Sequence, residues 1–225
     1  MLRGMYRERA SLLPGAVLWT RTVPAPGGVC RIIPDGSQDL IWVDGALLVA
    51  GPDTGPHLAD CRPGARYVGL RFAPGTATAV LGVPAHELRD SRLPLDALWP
   101  AARVRRISEA ADPAAALESA ASVACASPSD PVAAAVAGRL RTGASVAGTA
   151  AAVGLSERQL HRRCLDAFGY GPRMLGRVLR MRRAVGLARR GMPFATVAAT
   201  TGYADQAHLA REVKALTGVP LGALT

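Results

Sequence analysis

A ten-residue segment of this chain recurs 48 positions later. Ala147-Gly148-Thr149-Ala150-Ala151-Ala152-Val153-Gly154-Leu155-Ser156 returns as Ala195-Thr196-Val197-Ala198-Ala199-Thr200-Thr201-Gly202-Tyr203-Ala204. Each copy reads as a short helix with small residues at its packing positions, then a glycine, an apolar residue and a second helix. The glycine accepts the left-handed conformation that turns a chain sharply between two helices. Ala150 and Ala198 let the second helix of each pair approach closely. This is the grammar of a helix-turn-helix. One copy could be an ordinary αα-corner, but two in register make a far stronger signal.

The repeat sits in the only part of the chain with a charge excess. Residues 1–130 carry 13 arginines and 13 acids. Residues 131–225 carry 13 arginines and Lys214 against Glu157, Asp166, Asp205 and Glu212, which accounts for the whole net charge of +10. Arginine richness from a GC-rich genome would be spread evenly, and this is not. A compact region so basic repels itself unless it meets an anionic partner, most often nucleic acid.

Within that region the first candidate recognition helix runs over residues 157–168. Leu160, Cys164 and Phe168 recur at i, i+4, i+8 and face the core, leaving Arg158, His161 and Arg162 outward, with Arg163 further round. Arginine suits both guanine edges and phosphates, and the sequence leaves open which of these it meets here. The second recognition helix spans residues 205–216, with Leu209, Val213 and Leu216 buried and Gln206, His208 and Arg211 directed elsewhere. Glutamine complements adenine. Lys214 suits a phosphate, and His208 reads equally as a solvated surface residue.

Between the two units, residues 172–190 read as one helix. Met174, Val178, Met181, Val185 and Ala188 form its apolar stripe, and Arg173, Arg177 and Arg180 a basic one that suits phosphate contact. Nineteen residues at ~1.5 Å each give a rod of ~28 Å, close to the ~34 Å between successive major grooves.

The first half has a different texture. Residues 16–23, 29–33, 39–43, 46–50 and 66–72 are β-rich and separated by Gly/Pro turns, of which Asp44-Gly45 is a hairpin signal. A small antiparallel barrel or sandwich is expected. Residues 101–111 and 114–126 look helical, and Ser127-Pro128-Ser129-Asp130-Pro131 marks a boundary with Asp130 as N-cap. The division expected is residues 1–100 as a β-rich domain, 101–130 as a helical connector and 131–225 as the DNA-binding domain. No run is long enough to span a membrane, and no signal peptide is evident, so a cytoplasmic location is expected. In a reducing compartment Cys30, Cys61, Cys125 and Cys164 read as small core residues without a disulfide. His57 and Cys61, with Cys30, do not show a distinctive metal spacing, and no cofactor is expected. Arg71 reads as an ion-pair partner, with an anionic effector as the alternative. The competing function is an enzyme with a catalytic N-terminal barrel and an accessory DNA-binding region, yet no Gly-x-Ser-x-Gly elbow, phosphate loop or paired-His motif supports catalysis.

Over residues 133–224 the chain resembles the AraC/XylS family of bacterial transcription regulators. The segment from Gly202-Tyr203-Ala204-Asp205-Gln206 through His208, Leu209, Arg211 and Lys214 to Leu216-Thr217-Gly218 carries the likeness most strongly. Gly154-Leu155-Ser156, Arg158, Leu160, Arg162, Arg163, Phe168-Gly169, Pro172, Arg180 and Ala184 extend it. The resemblance implies DNA contacts at Arg158, His161, Arg162, Gln206, His208 and Arg211, with double-stranded DNA as partner. It also implies a small-molecule effector, a homodimer and, for an activator, RNA polymerase. Cys164 and Val213 stand where the family usually has phenylalanine, and Pro220 comes one residue early. Pro34-Asp35-Gly36, Asp39-Leu40, Gly51-Pro52, the stretch from Gly69 to Gly75, and Leu81-Gly82-Val83-Pro84 resemble cupin-like sensor domains. The fold expected is therefore an α+β two-domain chain: a cupin-like antiparallel β-barrel, then an all-α double helix-turn-helix.

Overall fold

Asp44 and Gly45 both take positive φ, 46° and 92°, and so close a two-residue hairpin between β4 (Gln38–Val43) and β5 (Ala46–Ala50). This is seen in a computed structural model, which describes residues 6–125 and 130–225. The other strands are β1 (Tyr6–Ala10), β2 (Ala16–Thr22), β3 (Gly28–Ile32), β6 (His57–Cys61), β7 (Arg66–Phe72) and β8 (Arg92–Pro94). Six of them form one antiparallel sheet in the order β1-β2-β7-β4-β5-β8, and β3 pairs only with β6. The antiparallel, β-rich first half is thus as expected. Among the described residues its hydrogen bonds make an open six-stranded sheet and a separate ribbon, not a continuous ring.

The helices that follow are α1 (Thr78–Leu81), α2 (Ala101–Ser108) and α3 (Pro113–Ala124). Alternation along the strands turns Leu18, Leu40, Leu70 and Phe72 to one face, and Ile107, Leu117 and Ala121 of α2 and α3 complete that same core. The helices set apart in the sequence as a connector therefore cover the sheet. Ala126, Ser127, Pro128 and Ser129, the turn-rich part of the boundary segment, lie outside the described residues. Asp130 does cap α4 (Pro131–Arg141), accepting from Val132 N at 2.9 Å.

The second half continues with α5 (Val146–Ala152), α6 (Glu157–Phe168), α7 (Pro172–Arg189), α8 (Phe194–Thr201) and α9 (Gln206–Thr217). Gly154 and Gly202 turn the chain at φ 68° and 76°, and Ala150 and Ala198 are buried against the second helix of each pair. Two cores result. Leu160, Cys164 and Phe168 pack with Leu175, Val178 and Leu179 from the first part of α7. Leu209, Val213 and Leu216 pack with Met181, Ala184, Val185 and Ala188 from its second part. The rod thus contributes to both cores, so its helical geometry sets the separation of the two units. It buries more of its circumference than the expected stripe, because Leu175, Leu179 and Ala184 are also enclosed. The early Pro220 is accommodated: residues 221–224 form a short 3-10 turn that buries Leu221 and Leu224 in the second core.

One expectation is corrected. Cys30 and Cys61 lie on adjacent strands of the β3–β6 ribbon and are joined as a disulfide. Sequence spacing gave no sign of this, because the pairing depends on a ribbon whose second strand was not recognised. The bond also ends any reading of Cys30, Cys61 and His57 as metal ligands. Among the described residues no helix is long and apolar enough to cross a membrane.

Candidate nucleic-acid interface

Each recognition helix begins at a side-chain cap that orders its first turn. Ser156 and Gln159 form a reciprocal capping box on α6: Gln159 N donates to Ser156 Oγ at 3.2 Å, and Ser156 N donates to Gln159 Oε1 at 2.9 Å. Asp205 caps α9 by accepting from His208 N at 2.6 Å. These caps hold the N-terminal turns, the part of a recognition helix that meets base edges.

On α6 the side chains of Arg158, His161 and Arg162 are all exposed, while Leu160 and Cys164 are buried. The His161 ring lies over Gly171, where a Cβ would come within 2.6 Å of it. Arg163, further round, is occupied by Asp130 at 2.8 Å. The C-terminal end of the helix serves a different purpose. Ala167 and Phe168 are buried, Arg89 donates to Gly169 O at 3.4 Å, and His86 stands 3.4 Å from Asp166. The first half of the chain therefore grips α6 at one end and leaves its arginine-bearing face open.

On α9, Gln206, Arg211 and Lys214 are exposed and His208 is half-buried. His208 Nδ1 accepts from Ala204 N at 3.3 Å, and its ring meets Tyr203 edge-on. A ring nitrogen that accepts carries no proton, so the donor of a neutral His208 is Nε2.

Of the three arginines expected along the rod, only Arg173 is fully exposed. Arg177 forms a two-pronged pair with Glu212 of α9, at 2.9 and 3.3 Å. That guanidinium, against the opposing effect of burial, holds the Glu212 carboxyl below its ordinary range. Arg180 lies 4.6 Å from the centre of the Tyr203 ring and donates to Gly202 O at 3.4 Å. Both side chains tie the rod to the second unit. Sequence reasoning missed this because Glu212 and Tyr203 lie 35 and 23 residues away, with nothing local to mark them. It also missed Arg182, whose Nη1 stands 3.7 Å from Asp35 of the first half.

Arg71 resolves as an ion-pair partner. It reaches Asp39 at 3.2 Å, Asp35 at 3.7 Å and Glu8 at 3.6 Å. Burial opposes its charge, yet these carboxylates keep its guanidinium above its ordinary range. Among the described residues no three metal-ligating side chains cluster.

Comparison with known proteins agrees with this geometry. Residues 149–225 match the model of a helix-turn-helix domain, and residues 16–94 match a domain of unknown function, DUF6597. No curated protein matches the sequence. Among solved structures, ToxT from Vibrio cholerae superposes with a TM-score of 0.51 at 10% identity, covering 97% of each chain. A second structure, of ToxT from Vibrio cholerae O395, gives 0.49 at 10% identity over 98% of each chain. The first of these likenesses establishes a shared fold across both halves. With its paired helix-turn-helix units behind a DUF6597 domain, the chain has the architecture of a DNA-binding transcription regulator.

Proposed function

We propose that this regulator acts by binding and not by catalysis, placing α6 and α9 in successive major grooves of one duplex. The observation that carries this reading is the rod: α7, ~27 Å long, lends side chains to both cores, so two capped helices with exposed cationic faces are fixed relative to one another on a rod whose length is near one duplex turn. In this reading Arg158, His161, Arg162, Gln206, His208 and Arg211 face the grooves and Arg173 a phosphate. Arg177 and Arg180 position α9 through Glu212 and Tyr203. Residues 1–100, with the helices of 101–130 packed on them, form the sensing part and 131–225 the DNA-binding part. The work is done in the cytoplasm, where the operator lies. A small-molecule effector, a second copy of the chain and RNA polymerase are the further partners proposed.

The test is a gel shift on fragments selected from genomic DNA, with salt varied. Arg162→Ala and Arg211→Ala are each expected to weaken binding by about 1–3 kcal/mol, or roughly 5- to 150-fold, without a change in melting temperature. Equal affinity for random duplex would end the sequence-specific reading, and unaltered footprints for both variants would show that the faces are wrongly assigned.

A further inference from the structure

The Cys30–Cys61 disulfide closes a ribbon of the first half that reaches the end of the second recognition helix. Arg31, the residue after Cys30, donates Nη1 to Thr217 O at 3.2 Å. Gly218, the C-cap of α9, sits so near that a Cβ there would come within 2.8 Å of Arg31 Nη1 and 3.2 Å of Pro56 Cγ. Pro56 immediately precedes β6. Both strands of the ribbon, one on each side of the disulfide, therefore flank the end of α9.

That ribbon has little else to hold it. Its two five-residue strands pair with each other and not with the six-stranded sheet, and a lone two-stranded ribbon is marginal in water. Its core is small: Val23, Cys30, Cys61 and Ala65. The sulfurs also have a cation beside them. Arg21 Nη2 lies 2.8 Å from Cys30 Sγ, and its Nη1 lies 4.0 Å from Cys61 Sγ. A guanidinium in that place stabilises a thiolate, which favours the reduced form and speeds departure of the sulfur it touches. Disulfides in proteins that share a compartment with thiol reductants are more often redox-responsive than structural.

We propose that Cys30 and Cys61 form a thiol–disulfide switch that sets how firmly the first half holds the C-terminal end of α9. The reductant is a small thiol or dithiol. Its thiolate attacks Cys61 Sγ, the sulfur–sulfur bond breaks, and Cys30 leaves as a thiolate beside Arg21. A second thiolate then attacks the mixed disulfide and releases Cys61. Two reductant thiols are oxidised to one disulfide, and their two protons and two electrons end on the two cysteines. Both sulfurs are buried, so attack waits on opening of the ribbon and is slow. Cys164 takes no part, because burial pushes its thiol up to about 12. The effect on DNA affinity and the reducing compartment rest on the function proposed above, whereas the thiol–disulfide chemistry of the ribbon does not.

The experiment uses the full chain, oxidised with glutathione disulfide or reduced with dithiothreitol. Alkylation after denaturation is expected to label two of the four cysteines in the oxidised chain and all of them in the reduced one. On reduction, amide exchange over residues 28–32, 57–61 and 214–221 is expected to rise by about tenfold or more, with residues 157–165 of α6 unchanged. The double variant Cys30→Ser/Cys61→Ser should match the reduced chain whether or not dithiothreitol is present. DNA affinity should follow the redox state in the natural chain and not in the variant. Full labelling after oxidation, or unaltered exchange at 214–221 on reduction, overturns the switch. Absence of DNA binding in both states would defeat the functional reading alone, since the exchange result would still decide the switch.

Discussion

Two side chains show how much a single position can hold in place. Gly69 faces Trp19 across the β2–β7 pair, and a Cβ there would come within 2.1 Å of the indole. The bare backbone lets the ring lie flat on β7, where Trp19 Nε1 donates to Asp39 Oδ1 at 2.7 Å. Burial raises the Asp39 carboxyl against the pull of Arg71, so it has no donor to spare. Gly69→Ala should displace the indole and cost about 1–3 kcal/mol, seen as a lower urea midpoint with an altered tryptophan emission; an unchanged midpoint would refute the account. Glu118 is the second case. Its carboxylate receives Arg9 at 2.8 and 3.0 Å, Ser11 Oγ at 2.7 Å and Leu12 N at 2.9 Å, binding β1 to α3. The Arg9 hydrogen bonds, with Ser11 and Leu12 and against the effect of burial, lower the carboxyl to about 2. A carboxyl depressed on folding stabilises the protein fully above its unfolded value, and that contribution disappears as pH falls through the folded one. Arg9 is half exposed, so solvent screens part of the pair and about 2 kcal/mol is the scale expected. Glu118→Gln should therefore lower the melting temperature at pH 7 and converge with the natural chain near pH 2. Equal melting temperatures at pH 7 would contradict it. Neither role was legible in the sequence, since Trp19 and Gly69 meet only through strand register and Arg9 and Glu118 are 109 residues apart.

Elements were legible where the local chain alone decides them. The duplicated glycines, the Asp44-Gly45 turn and the Asp130 cap all report local backbone demands, and all three appear in place. The missed strands lack such marks. β1 is Tyr-Arg-Glu-Arg-Ala, exposed along its whole length, so no alternation betrays it; its charges suit a sheet edge. β6 is His-Leu-Ala-Asp-Cys with no β-branched residue, and β8 ends in a proline. The rod was visible as a helix, but the partners of its arginines were not, and this bears on how Arg177 acts. Paired with Glu212, Arg177 should influence DNA through α9. Arg177→Ala and Glu212→Gln should then weaken binding by the same ~0.5–1 kcal/mol, about two- to fivefold, with the salt slope unaltered. If Arg177 instead meets a phosphate, Arg177→Ala would reduce the salt slope by about one, and Glu212→Gln, which removes a negative charge, would tighten binding.

At the scale of the whole molecule, the first half touches both helix-turn-helix units, and none of those contacts has a local sequence signal. Gly75 packs against Phe168 and Ala133, Gly169 against Pro52 and Ala85, and Gly36 against Tyr170 and Leu179. Asp35 stands 3.7 Å from both Arg71 of the sheet and Arg182 of the rod, so one carboxylate couples the two halves. The exposed faces of α6 and α9 stay open in this docked arrangement, so the contacts of the first half have the geometry of a brace on the rod and not of a mask over it. Loosening the brace should weaken DNA binding. Arg182 is nearly half exposed and Asp35 largely buried, which puts the coupling at about 1 kcal/mol, or roughly fivefold in affinity. Asp35→Asn gives the sharper reading, because removal of a negative charge would by itself attract DNA; weaker binding would run against that trend and mark the lost brace. Arg182→Ala should weaken binding to a similar extent, and the double variant should be no worse than either single one, as expected for two groups acting through one contact. Tighter binding by Asp35→Asn would instead mean that the docked arrangement holds the recognition helices away from their operator.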